Sequence, residues 1–347
     1  MSTDRSASPK TGRPPLVRII YRSGPGLVDL ECSPDRLAEV LADPKGAVWV
    51  DIEDPDSQTA EIEAMFRDVF HFHPLAIEDA LQDSNVPKVD DWSDYLYLAF
   101  HSIDFDPETD HLRLHELDLF LGANYLVSYH NEPIAVLEEL RRNLHRDNGD
   151  RIKHGADHLL YQILDLGVDE FLTAIEHLDE AIDEAQDEVF RDSTPATLQK
   201  IFQVKRAALQ IHRIISPQRE VLNRLARDEY PQIGPRDRVY FRDVYDHLVR
   251  LHDISETLRD LISGALDTYL SAISNRTNDV MKTLTIVTVM ALPLNLLVGF
   301  FGMNFFADTL AFTRPPLPNA LLFAATCLTM VTAPILIWIW AKRRNWF

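Results

Sequence analysis

RDRVYFRDVYDHLVRLHDISETLRDLISGALDTYLSAISNRTNDVMKTLTIVTVMAL, residues 236–292, contains no proline and a single glycine, Gly264. Nothing in it forbids one unbroken helix, roughly 85 Å long at the ordinary rise per residue. That is far longer than the usual globular helix. Its far end continues into LTIVTVMALPLNLLVGFF (284–301), eighteen residues without a charge, which is enough to cross a bilayer. One helix is therefore predicted to begin among charged residues in water and to end inside a membrane.

A second uncharged run, ALLFAATCLTMVTAPILIWIWA (320–341), follows a short proline-rich loop and is followed at once by Lys342, Arg343 and Arg344. Pro334 lies inside it, which neighbouring helices tolerate. Arg276, Lys282 and the basic tail flank the outer ends of this hairpin, whereas the loop holds one Asp and one Arg. The positive-inside rule then predicts a multi-pass protein of the cell membrane, with both termini cytoplasmic and the loop outside. Two spans cannot enclose a pore, so a channel built from this hairpin has to be an oligomer.

The chain has 347 residues, 54 acidic against 34 basic. An acidic balance argues against a nucleic-acid partner and suits a protein that gathers cations through its summed field. A solvated acidic surface would give the same count. Cys32 and Cys327 stand far apart and form neither a disulfide framework nor a metal knuckle. Residues 1–16 are polar, lack the apolar core of a signal peptide, and read as a disordered tail.

From residue 17 to about 150, strands and helices interleave, predicting an α/β domain. VRIIY (17–21), LVDLE (27–31), AVWVDI (47–52), YLYLAFHSI (95–103), HLRLHELDLFLG (111–122) and NYLVSYH (124–130) read as strands. SPDRLAEVLAD (33–43), with Ser33 as N-cap and Pro34 at the first helical position, reads as a helix. So do 56–70, 73–82 and 133–144, whereas the strand order is not readable.

Residues 151–283 are predicted to be helical throughout. A helix over 156–191 carries Phe171, Ile175, Leu178, Ile182, Ala185 and Val189 at alternating spacings of four and three, the seam of a packed long helix. Eleven acids against one base lie between Asp165 and Asp192, most of them off that seam. A more basic helix over 195–227 is able to lie antiparallel to it. PQIGP (231–235) breaks the chain before the long helix.

Within the first span (284–302) and the turn before it, Asn278, Met281, Thr285, Thr288, Leu292, Asn295, Gly299 and Gly302 fall within about 120° of one another on an ideal helix. Asn295 is costly facing lipid, and small or polar residues mark helix interfaces or water-filled paths. Helix packing and pore lining account for the stripe equally well.

Gly302-Met303-Asn304 ends the span. On chemistry alone this is a helix stop. Set between two spans, with a short loop and a basic tail, it resembles the signature of the CorA family of divalent-cation transporters. HPLAIEDALQDSNVPKVDDWSDYLYL (73–98), HGADHLLYQILDLGVDEFL (154–172), residues 241–286 and the terminal WIWAKRRNWF also look like family segments. The likeness covers nearly everything after residue 16.

The resemblance implies a homopentamer in a lipid bilayer, with a cytoplasmic α/β domain, a long-helix funnel and two transmembrane helices per chain. First spans would line the pore and second spans (320–341) would surround them. Gly302, Met303 and Asn304, at the start of the outer loop (303–319), would form the selectivity filter, where a ring of amide oxygens suits a hydrated Mg²⁺. Thr288 and Asn295 would be polar rings, and Met281, Leu284 and Leu292 would be constrictions able to dewet. The family's inter-subunit regulatory carboxylates correspond to Asp79 and Asp243. An ion between two facing carboxylates would clamp neighbouring subunits shut. Lys342, Arg343 and Arg344, in the tail beginning at 342, would be a basic ring.

Magnesium-type members carry an acidic Met-Pro-Glu-Leu loop after the signature, whereas this chain reads Phe305-Phe306-Ala307-Asp308-Thr309-Leu310, leaving Asp308 as the acid that attracts cations. That departure opens the ZntB-like branch, which handles zinc. The thirteen histidines show no close ligand spacing. No P-loop, GxGxxG or nucleophile elbow is present, so no enzyme and no organic cofactor is expected. The expected activity is influx of Mg²⁺, with Co²⁺ and Ni²⁺ as passengers, down the electrochemical gradient and under control of internal divalent ions. Its rivals are zinc transport, with or without proton coupling, and a membrane-tethered cation sensor that does not conduct.

Overall fold

The computed structural model describes residues 13–55, 60–82, 86–106, 111–302 and 317–343. Residues 1–12 of the expected tail, Met303, Asn304, Asp308 and Arg344 lie outside the described residues, whereas Leu16, the last residue of that tail, already opens the first strand. The chain divides into two compact units, Met1–Leu266 and Asp267–Phe347.

The first unit holds strands β1 (Leu16–Arg22), β2 (Val28–Asp29) and β3 (Ala47–Glu53), with helix α1 (Leu37–Leu41) between the last two. Helices α2 (Ala60–Asp68) and α3 (Pro74–Leu81) follow, then β4 (Lys88–Asp91), β5 (Leu96–Asp106), β6 (His111–Leu121) and β7 (Tyr125–His130). The seven strands form one sheet in the order β2-β1-β3-β7-β6-β5-β4, antiparallel except for the β3–β7 pair. Every residue of β3 is buried, as expected of a central strand covered on both faces. One face packs Val48, Val50, Ile52 and Phe120 against Phe66, Phe70 and Phe72 of α2 and the turn after it. Phe72 stacks on Phe120 with ring centroids 4.1 Å apart.

Asp51 is buried in β3, yet its carboxylate is well partnered. It accepts from Ser128 Oγ at 2.7 Å, from Arg18 Nη1 at 3.3 Å and from Arg141, and lies 3.2 Å from His130 Nε2. Burial pushes its pKa up, but His130, Ser128 and Arg141 outweigh burial and hold it below the usual value. This network ties β3 and β7 to α4 (Ala135–Arg146).

The long helices begin with α5 (Ala156–Arg191) and α6 (Pro195–Arg227). Both bounds match the sequence reading, and all six seam residues of α5 are buried. The hairpin is antiparallel, and Lys200 of α6 reaches back to Glu184 at 2.9 Å. Thr194 Oγ1 caps α6 by accepting from Thr197 N. In the middle of α5, Gly167 lets Phe100 of β5 approach; a Cβ there would sit 2.7 Å from the Phe100 ring.

Three expected elements differ. The 33–43 helix opens as a 3₁₀ turn, and the Ser33 side chain accepts from no helical N–H, its hydroxyl turning to Asp35 instead. LVDLE contributes only a two-residue strand against β1. The helix expected over 56–70 is described over Ala60–Asp68. In addition β4, with one apolar residue in KVDD, is a strand that the alternation rule does not find. Pairing with β5 makes it, and Arg224 of α6 donates to the Val89 carbonyl at 2.8 Å, covering the sheet edge.

Helix α7 runs from Arg238 to Gly302, continuing through the single proline, Pro293. Its start is fixed inside the first unit by Asp237, whose Oδ1 lies 2.8 Å from His158 Nδ1, and by Tyr240 against Tyr161. Further along, His252 stacks on His212 of α6, rings 5.1 Å apart. The last element is α8 (Leu317–Arg343). Both α7 and α8 contain a stretch long and apolar enough to cross a membrane, and nearly all of each stretch is uncovered. That separates them from the core helices of a soluble protein.

Candidate functional site

In the second unit, Asn278, Met281, Leu284, Thr285, Thr288, Leu292, Asn295, Gly299 and Gly302 are all exposed on α7. Ile286 is buried, and Met290, Pro293, Leu294 and Leu297 are partly covered. At 100° per residue these covered positions centre about 160° from the centre of the polar stripe. Ala291, also partly covered, lies between the two faces. A single chain thus covers only a narrow strip of the first span and leaves the polar stripe uncovered, together with Val287, Val289, Leu296, Val298 and Phe300.

Thr285 donates its hydroxyl to the Met281 carbonyl at 2.7 Å, and Thr288 to the Leu284 carbonyl at 2.8 Å. With the hydrogen used on the helix's own backbone, each Oγ1 presents lone pairs outward. An outward acceptor suits a hydrated cation.

The two carboxylates of the expected regulatory pair lie in the first unit on separate elements. Asp79, in the last turn of α3, accepts from Lys88 Nζ at 2.5 Å and is 38% exposed. Asp243 is exposed on α7, and its charge helps raise the pKa of Asp165 and of Tyr161. For Asp165 the larger cause is burial, followed by Asp169. Hard carboxylate oxygens fit a divalent ion. Among the described residues, however, no group of three or more His, Cys, Asp or Glu is placed to hold a metal. Completing such a site needs donors from elsewhere. Lys342 and Arg343 are exposed at the end of α8, with the Lys342 ammonium 5.1 Å from the Trp338 ring centroid.

Sequence reasoning missed Lys88. The signal was available in KVD: positions two apart on a strand share a face, which puts Lys88 beside Asp90, 3.2 Å away. It also read Asp165 only as one acid among many.

An α/β domain, long helices and two exposed apolar spans, the first with an open polar side, define a membrane transport protein with a soluble domain. A family model described as "CorA-like Mg2+ transporter protein" matches residues 44–343. The cobalt/magnesium transport protein CorA of Thermotoga maritima is 37% identical over 236 residues, 68% of this chain and 67% of that protein. The putative metal ion transporter YfjQ of Bacillus subtilis is 32% identical over 301 residues, covering 86% and 89%. A more distant relative is the zinc transport protein ZntB of Yersinia pseudotuberculosis, 22% identical over 277 residues, covering 79% and 81%. The CorA magnesium transporter structure from Methanocaldococcus jannaschii shares the fold, with TM-score 0.73 at 22% identity over 95% of this chain and 99% of that one. The chain belongs to the CorA family of divalent metal-ion transporters, and it is not an enzyme.

Proposed function

We propose that this protein is a homopentameric channel for Mg²⁺, with Co²⁺ and Ni²⁺ as passengers, set in the cell membrane with both termini cytoplasmic. The observation that carries the reading is the polar stripe left uncovered along the first span, turned away from the narrow strip that is partly covered. An exposed amide such as Asn295 is costly against lipid. Several copies turning their stripes to one axis give those groups water and a cation instead. Gly302, Met303 and Asn304 are the filter, and Asp308 attracts cations to the mouth. Asn278, Thr285, Thr288, Asn295 and Gly299 line the path with Met281, Leu284 and Leu292 as its narrow points. Lys342, Arg343 and Arg344 form the inner basic ring. Entry is downhill, since each unit of charge gains about 2.3 kcal/mol per 100 mV.

Asp79 of one chain and Asp243 of the next hold the regulatory ion between them. Asp79 is half-exposed and Asp243 exposed, which leaves both able to meet a donor from a neighbouring chain. When internal Mg²⁺ falls, the two carboxylates repel and the closed arrangement loosens. The support for Mg²⁺ over Zn²⁺ is the 37%-identical cobalt/magnesium relative, set against 22% for the zinc one. Uptake into proteoliposomes with Mg²⁺ and Zn²⁺ in competition tests the choice. The expected result is Mg²⁺ influx at millimolar concentration that micromolar Zn²⁺ does not replace. Zn²⁺ uptake driven by an imposed proton gradient would transfer the protein to the zinc branch. Ion binding without uptake of either would make it a sensor.

A further inference from the structure

We propose that Lys88 is a tethered competitor for the divalent ion at Asp79, so that its ammonium sets how much internal ion closure requires. The inference rests on the regulatory reading of Asp79 and Asp243. Lys88 opens β4, and its Nζ lies 2.5 Å from Asp79 Oδ2 and 3.2 Å from Asp90 Oδ2. The same nitrogen is 5.2 Å from the centre of the Tyr97 ring. Two hard oxygens and an aromatic face are what a protein offers to hold a cation. Tyr97 is itself buried and anchored, its hydroxyl donating to Asp118 at 2.6 Å. The aromatic wall of the cradle is therefore fixed, and a covalently attached cation occupies it.

The ordinary lysine pKa lies at about 10.4, and two carboxylates within reach of Nζ favour the charged form. Lys88 stays charged across the physiological range. A divalent ion approaching Asp79 consequently meets a carboxylate that is already neutralised. It must either bind beside a positive charge or turn Nζ aside onto Asp90 and Tyr97. Both routes raise the ion concentration needed. The ammonium is only partly buried, so solvent screens the effect, and about a tenfold change in the required concentration is expected. If Lys88 did no more than tie α3 to β4, its loss would lower stability without moving the ion response.

The test uses the full-length protein in detergent, its melting temperature followed as MgCl₂ is added. Lys88→Met and Lys88→Gln both remove the charge and are run together, so that one suffices if the other fails to fold. Lys88→Arg keeps the charge, and Asp79→Asn with Asp243→Asn removes the site. The neutral variants are expected to reach half-maximal stabilisation at about one-tenth of the wild-type Mg²⁺ concentration, with Lys88→Arg within about twofold of wild type. A midpoint that is unchanged or higher in the folded neutral variants, while the carboxylate pair abolishes the response, overturns the role of Lys88 alone. A normal response in the carboxylate pair overturns the regulatory reading and this proposal with it.

Discussion

The two apolar helices differ in what their polar residues do. Both spans carry threonines, and in both the hydroxyl goes back to the helix: Thr285 to Met281 and Thr288 to Leu284 in α7, Thr329 to Ala325 in α8 at 2.8 Å. A threonine therefore does not by itself tell the two spans apart, because in each it satisfies its own donor. The side-chain amides are different. Asn278 and Asn295 carry two donors and an acceptor that one turn of helix cannot absorb, and both stand on the open side of α7. The second span, 320–341, holds no amide, Asn319 standing just before it; the side groups within the span are aliphatic, aromatic or small. Asymmetry between the spans, more than the presence of polar atoms, is what supports the proposed path along the first.

The largest expected effect sharpens this contrast at the signature. Asn304→Ala is expected to lower Mg²⁺ uptake at least tenfold, with the assembled mass unchanged by light scattering. Uptake within twofold of wild type would leave the signature without a filtering role. Within the span, Asn295→Leu is expected to cost several-fold in uptake, whereas Thr329→Val in the second span changes it by less than twofold. Equal losses in the two variants would erase the distinction between the helices. Both comparisons are read as initial rates at matched protein density.

A smaller change is expected in control of the path than in the path itself. Asp79→Asn with Asp243→Asn should leave maximal uptake within about twofold and move the internal Mg²⁺ needed for half-closure above the range that closes the wild type. Patch recordings with the cytoplasmic face bathed in graded Mg²⁺ give that midpoint directly. An unmoved midpoint removes both residues from regulation.

The polar stripe and the bounds of α5 and α6 were legible because each is a one-dimensional pattern. Heptad-like spacing marked the α5 seam, and Thr194-Pro195 marked where α6 starts. Sheet order was not legible, since β3 pairs with β7 across the intervening helices and strands and nothing local encodes that partner. Capping misled at Ser33, whose hydroxyl turns to Asp35, while His73 Nδ1 does the capping at α3 by accepting from Leu75 N at 3.2 Å. The edge strand β4 escaped because pairing and Arg224 define it more than its composition does. With it went Lys88, the cation that stands at the expected regulatory carboxylate.

The smallest expected effect concerns a carboxylate away from either span. Glu170 of α5 accepts from Ser102 Oγ of β5 at 2.7 Å, and burial pushes its pKa up to about 7. The hydrogen bonds from Ser102 and from the backbone of Ile103 pull the other way, and Asp104 and Glu139 add to the rise. A carboxyl whose folded pKa is raised contributes stability below its unfolded value, near 4.5, and that contribution is lost as pH climbs through about 7. Glu170→Gln keeps an oxygen for both donors and carries no charge. It should raise the melting temperature at pH 8 by a few degrees, about 1 kcal/mol, and show a smaller advantage at pH 5.5. A variant whose advantage is the same at both pH values would mean that Glu170 meets enough water to ionise freely. The contact of α5 with the sheet would then be indifferent to its charge.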